Sequence, residues 1–240
     1  MRKEILKKEK MRNLRMAGSL FVVALAVALV AARPAAAQFG PGAGMQQPDF
    51  RGVWNPVVGS GAAYEMDSGK GKNEMELTLV GKEDVAGKPG YWVEMAMNMP
   101  NGGGQMYAKT LMVFDGKNGS VARMIIQPPG AGPMEMPNMG NRNQPPPSAD
   151  IRDAAEKVGT EDVVTPAGTL SCDHYRDKDG KWDAWISAKV TPWGLVKSKS
   201  GDTTMTVVRV ITDAKDHITG TPTQFNPGGF GGLGGGRPRQ

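Results

Sequence analysis

Thirteen of the sixteen methionines lie beyond residue 37, and seven of those fall in two clusters. One is Met95, Met97 and Met99 with Met106 close behind; the other is Met134, Met136 and Met139. Thioethers are soft donors that select Cu(I), so Met134, Met136 and Met139, three sulfurs in one proline-rich stretch, form a candidate copper site. The competing reading is packing, because an unbranched polarisable side chain fills irregular apolar space. Met95 and Met97, two apart, suit that second role on one face of a strand.

Other reactive residues assemble into less. Cys172 and His174 are two apart and share a face if the segment is extended, but a structural zinc site takes four ligands. The only other histidine, His217, is distant in sequence. A Cys–His nucleophilic pair needs a thiolate within hydrogen-bond reach of its base, which strand neighbours at i and i+2 do not offer. Asp177, Asp179 and Asp183 lack the bidentate glutamate of a calcium loop and read as a charged turn. Trp182, Trp185, Trp193, Tyr175 and Tyr91 suit a β core better than a stacking platform. The chain therefore reads as a non-enzyme that requires no cofactor.

The elements that must position these residues are strands. Met75, Leu77 and Leu79 alternate with Glu74, Glu76 and Thr78, the period of two of a half-buried strand. Val93, Met95 and Met97 alternate with Trp92, Glu94 and Asn98. Asn101-Gly102 and Asp115-Gly116 then supply hairpin turns, leading into strands at 106–114 and 121–127. After a proline-rich stretch, Ile151, Ala154, Ala155 and Val158 fall at helical spacing, with Asp150 as cap and Gly159 as stop. Strands return at 168–176, 181–190, 195–199 and 203–212. Short strands joined by tight turns predict a mainly β protein: a single curved antiparallel sheet, as a half-open barrel or sandwich, with one short helix. Apolar residues on both faces of 182–190 and 203–212 require cover on each side. A concavity lined by Val93, Met95, Met97, Leu111 and Val113 follows, with Trp185 as a further ligand contact.

One stretch adds a resemblance. Thr165-Pro166-Ala167-Gly168-Thr169-Leu170-Ser171-Cys172, then Trp185-Ile186-Ser187 and Val190-Thr191-Pro192-Trp193-Gly194-Leu195-Val196-Lys197, resembles a pattern in uncharacterised exported bacterial proteins. Those proteins are similar to the half-barrel superfamily of lipoprotein carriers, the LolA-like fold. The resemblance spans residues 160–200, and residues 60–127 as a strand rhythm. It implies a curved sheet wrapped around an apolar cavity that holds acyl chains. Its motif residues are turn-makers and core residues, not chemistry.

The compartment is legible at the amino terminus. A basic stretch is followed by a 13-residue apolar run at 20–32 and then Arg33-Pro34-Ala35-Ala36-Ala37, the order of a secretory signal. Cleavage is expected after Ala37, and the apolar run is too short for a comfortable membrane span, so none should persist. The expected organisation is a signal peptide at 1–37, a disordered linker at 38–50, a β-rich domain at 51–225 with a flexible loop at 128–149, and a disordered Gly-rich tail at 226–240. Residues 1–37 hold eight of the 29 Lys and Arg and two of the 24 Asp and Glu, so the remainder is almost neutral at 21 basic to 22 acidic. A nucleic-acid partner, which demands a basic footprint, is excluded. One cysteine closes no internal disulfide, so the core must hold the fold. Three classes of periplasmic or secreted function remain. They are a domain binding a lipid or lipoprotein acyl chain, a methionine-rich copper protein, and an envelope structural or interaction module.

Overall fold

The computed structural model describes residues 52–225 apart from residues 70, 100–101, 116–117 and 138–149. The predicted signal peptide, linker and Gly-rich tail, and most of the 128–149 loop, lie outside the described residues. In chain order the strands are β1 Ser60–Asp67, β2 Lys72–Val85, β3 Lys88–Asn98, β4 Gln105–Asp115, β5 Asn118–Gln127 and β6 Met134–Glu135. One helical turn, α1 Ile151–Ala154, precedes β7 Ala155–Thr165, β8 Gly168–Asp177, β9 Trp182–Ile186, β10 Leu195–Ser200, β11 Thr203–Ile211 and β12 Thr223–Gln224. All twelve strands belong to one open sheet in the order β12-β6-β5-β4-β3-β2-β1-β11-β10-β9-β8-β7. The mainly β, single-sheet architecture with one short helix is therefore present.

Local chemistry explains the meanders. Ala86 and Gly87 take positive φ (52° and 81°) and turn β2 into β3, the backbone pair that matches strand twist in a two-residue hairpin. Pro166 and Ala167 turn β7 into β8, with Thr165 opposite Gly168. Two steps are long-range: β1 pairs with β2 on one side and β11 on the other, and β6 pairs with β12. Register shifts interrupt five of the pairings, at Ala63/Tyr64, Leu79/Gly81, Leu111/Met112, Lys157/Gly159 and Leu195/Lys197. Such irregularities bend and twist a strand, and the sheet curls so that Leu77 and Met95 share one core with Tyr175, Ile186 and Leu195. We call this core-bearing face the inner face.

The predicted helix is corrected. Only Ile151–Ala154 is helical, capped by the Asp150 side chain accepting from the Arg152 N–H at 3.0 Å; Ala155 and Val158 belong to β7. Ten residues paired with β8 outweigh the helical spacing, and Val158, Thr160, Val163 and Val164 favour the strand.

Both faces are covered, but by extended segments. Residues 52–57 run along the inner side, where the Val53 N–H donates to the Trp193 carbonyl (2.9 Å) and the Asn55 N–H to the Pro192 carbonyl (2.7 Å). Gly52 is required there, since a Cβ would stand 2.0 Å from the Trp193 oxygen. On the outer side, residues 214–225 run from the Gly59 carbonyl, bonded by the Ala214 N–H, to Glu135, whose carbonyl accepts from the Phe225 N–H. No helix among the described residues is long and apolar enough to cross a membrane.

Candidate functional site: the methionine-lined inner face

Strand register decides which side chains meet. Leu77 lies on the inner face and stands opposite Ala62 of β1 and Met95 of β3; Met95 is opposite Ala108 of β4, which is opposite Ile126 of β5, which is opposite Met134 of β6. Since faces alternate along each strand, Val93, Met95 and Met97 share this face. Leu111 and Val113 do not. They pair with Trp92 and Gly90, while Val93 pairs with Thr110, so both point to the outer side and are buried there (1% and 8% exposed). The five residues expected to line one concavity are thus divided between two faces. The reason is parity: 111 and 113 on β4 stand out of phase with 93, 95 and 97 on β3.

The same register places every methionine in a described strand on the inner face: Met66, Met75, Met95, Met97, Met106, Met112, Met124, Met134 and Met205. The two sequence clusters therefore come together on one surface, joined by methionines that stand singly in the chain. Met75, Met95, Met106, Met112 and Met205 are buried. Met66, Met97, Met124 and Met134 are half-buried, as are Ile126 and Met136. Met136 follows β6 and donates its N–H to the Met124 carbonyl. Met139 lies outside the described residues.

The opposite end of this face is filled with aromatics. Trp54 stacks on Phe114 (centroids 4.3 Å apart), meets Tyr91 edge-on (5.7 Å) and tilts against Trp193 (5.0 Å). Trp193, Tyr91, Tyr175 and Trp182 all belong to or pack on the core, as aromatics in a β core were expected to. Trp54 had carried no signal in the sequence, because only the tertiary path of residues 52–57 lays it on the sheet. Tyr64, fully buried, donates to the Leu195 carbonyl at 3.0 Å, and burial pushes its phenol well above the ordinary range.

Trp185 also packs against the core, beside a polar cluster. It stacks on His174 (4.4 Å), donates its indole N–H to Glu161 (2.5 Å) and has the Lys197 ammonium 5.2 Å from its ring centroid. The His174 ring is held between Asp183 (2.7 Å from Nε2) and Glu161 (3.3 Å from Nδ1). Burial raises the Asp183 carboxyl, but its bonds to His174 and Arg176 bring it below the usual range overall. Cys172 does not join this cluster. Its thiol donates to the Leu170 carbonyl, and burial, with nearby Asp162, Asp173 and Glu161, pushes it up to about 11. A thiol held protonated is a poor nucleophile and metal ligand. No group of three His, Cys, Asp or Glu side chains suited to a metal occurs among the described residues.

The outer face holds a second buried ionic set. Glu94 of β3, 1% exposed, stands opposite Lys109 of β4. His217 of the covering segment places Nδ1 2.6 Å from Glu94 Oε1 and its backbone N–H 3.1 Å from Oε2. Lys109 donates to Asp216 (2.6 Å) and to the Ile218 carbonyl (3.0 Å). Tyr107 stacks on His217 at 4.7 Å. Burial raises the Glu94 carboxyl, opposed by its bonds to His217.

No protein-family model matches this chain, and no curated protein matches it. Solved structures show similarity at low identity. A candidate lipoprotein from Parabacteroides distasonis is 14% identical, with 67% of this chain and 99% of that one covered and a TM-score of 0.32. A candidate exported protein of YmcC-like fold from Bacteroides fragilis gives the same values. A DUF1329 family protein from Desulfovibrio piger is 11% identical over 68% of this chain and 86% of its own, with a TM-score of 0.30.

Proposed function

We propose that this protein is a non-catalytic exported domain that binds an apolar chain, of the lipid or lipoprotein acyl type, on the methionine-lined inner face. The observation that carries the reading is the segregation of methionine. All nine strand methionines face inward, and those toward the β5–β6 side are half-buried rather than sealed. Methionine is flexible and polarisable and adapts to apolar partners of varied shape; a sheet built only for packing is better specified by Val, Ile and Leu. The open sheet leaves this side accessible, whereas the aromatic end is closed by Trp54. Export rests on the basic, apolar and small-residue order of residues 1–37.

The test is titration of the purified chain with a fluorescent fatty acid, repeated with Met97→Gln/Met134→Gln. Saturable binding near one equivalent, lost in a variant that keeps its thermal midpoint within a few degrees, is the expected result. No binding in the parent chain would overturn the reading.

A further inference from the structure

Among the inner-face methionines, one arrangement differs from general apolar lining. Met75 of β2 stands directly opposite Met97 of β3, and Met97 directly opposite Met106 of β4. Three thioethers thus occupy one row on three consecutive strands. Directly opposed residues have Cβ atoms about 5 Å apart, and the outer two strands of three lie roughly 10 Å apart. Two methionine side chains reaching toward the central one close most of that gap. The inward curl of the sheet draws the tips of such a row closer than its backbones. The next position of the row, on β1, is Tyr64, whose hydroxyl is engaged by Leu195.

From this juxtaposition we infer that Met75, Met97 and Met106 form a thioether site for a soft monovalent metal ion, Cu(I) in the cell. The donor set is all sulfur, and neither histidine is on these strands. Soft thioethers select Cu(I), whereas carboxylate and imidazole ligands would be needed for harder ions. Met75 and Met106 are buried (3% and 4% exposed) and Met97 is half-buried, so the ion would enter past Met97 and be shielded from water by the other two. Thioethers also suit an exported protein. They form no disulfides, and the one thiol, Cys172, is buried and protonated. This site is distinct from the sequence cluster Met134, Met136 and Met139, which begins three strands away from Met97 in the sheet order. It shares a face with the acyl-binding reading but does not depend on it.

The full chain is titrated anaerobically with Cu(I) against a chromophoric chelator, and in parallel with redox-inert Ag(I). Zn(II) serves as the hard-ion control. The parent is expected to take up one Cu(I) or Ag(I) and no Zn(II). Met75→Leu/Met97→Leu/Met106→Leu is expected to bind at least about tenfold more weakly, since leucine matches methionine in volume but has no donor. That variant should keep its thermal midpoint, and the metal is titrated in the absence of fatty acid, so the result is independent of the acyl reading. Met134→Leu/Met136→Leu should bind Cu(I) like the parent. Failure of the parent to retain Cu(I) and Ag(I), or undiminished binding in the Met75/Met97/Met106 variant, overturns the site.

Discussion

Glu94 and Lys109 are the charged side chains most deeply buried among the described residues, and their environment makes a prediction about pH. Burial raises the Glu94 carboxyl, so the folded chain holds its proton more tightly than the unfolded chain does. The stability owed to this group is therefore greatest below the ordinary carboxyl range and declines as pH rises through the folded value. Glu94→Gln removes that titration and leaves an oxygen to accept from the His217 backbone. Its thermal midpoint relative to the parent is expected to improve steadily from about pH 4 to pH 7; a difference independent of pH would contradict the raised carboxyl. Sequence alternation placed Glu94 on the face opposite Met95, yet could not say that anything covered it. Residue 217 is 123 positions away, beyond the reach of any local pattern.

At the scale of elements, residues 52–57 supply cover that the apolar inner face requires. Their hold on the sheet rests on a glycine that admits the Trp193 carbonyl and on one aromatic ring. Trp54→Ala is expected to lower stability by about 2 kcal/mol, less than for a fully buried tryptophan, read from a denaturant midpoint. It also opens space among Tyr91, Phe114 and Trp193, so fatty-acid affinity should be maintained or increased. A drop in affinity at unchanged stability would assign Trp54 to the ligand contact itself. Strands and their turns were legible because alternation and turn chemistry are local. The helix at 150–159 was misread for the complementary reason: a short stretch can satisfy helical spacing, and pairing across β8 settles its state.

For the whole molecule, the closing contact is β1 between β2 and β11, which brings the last long strand against the first. Beyond β11 the chain crosses the outer face and makes a short parallel pair with β6, Thr223 opposite Met134. This segment places Asp216, His217 and the buried Ile218 over a face that carries Glu94, Lys109 and Leu111. A chain ending at Asp213 leaves buried charge and apolar surface open to water. It should bind a hydrophobic dye and elute as aggregate in size-exclusion chromatography. A monomer with the parent's thermal midpoint would show that this cover is dispensable.

By itself the sequence determined the β class, most strand positions and the near-neutral charge beyond residue 37. Each of these follows from composition or from periods of two and tight-turn residues, which act over a few positions. Only the tertiary structure decided how the strands register, and register assigns faces. It separated Leu111 and Val113 from Val93, Met95 and Met97, and it gathered Met66, Met75, Met106 and Met205 beside them. A shift of one residue between neighbouring strands exchanges every side chain between inner and outer faces. Five irregularities in this sheet set that phase, and their positions depend on pairings between distant parts of the chain.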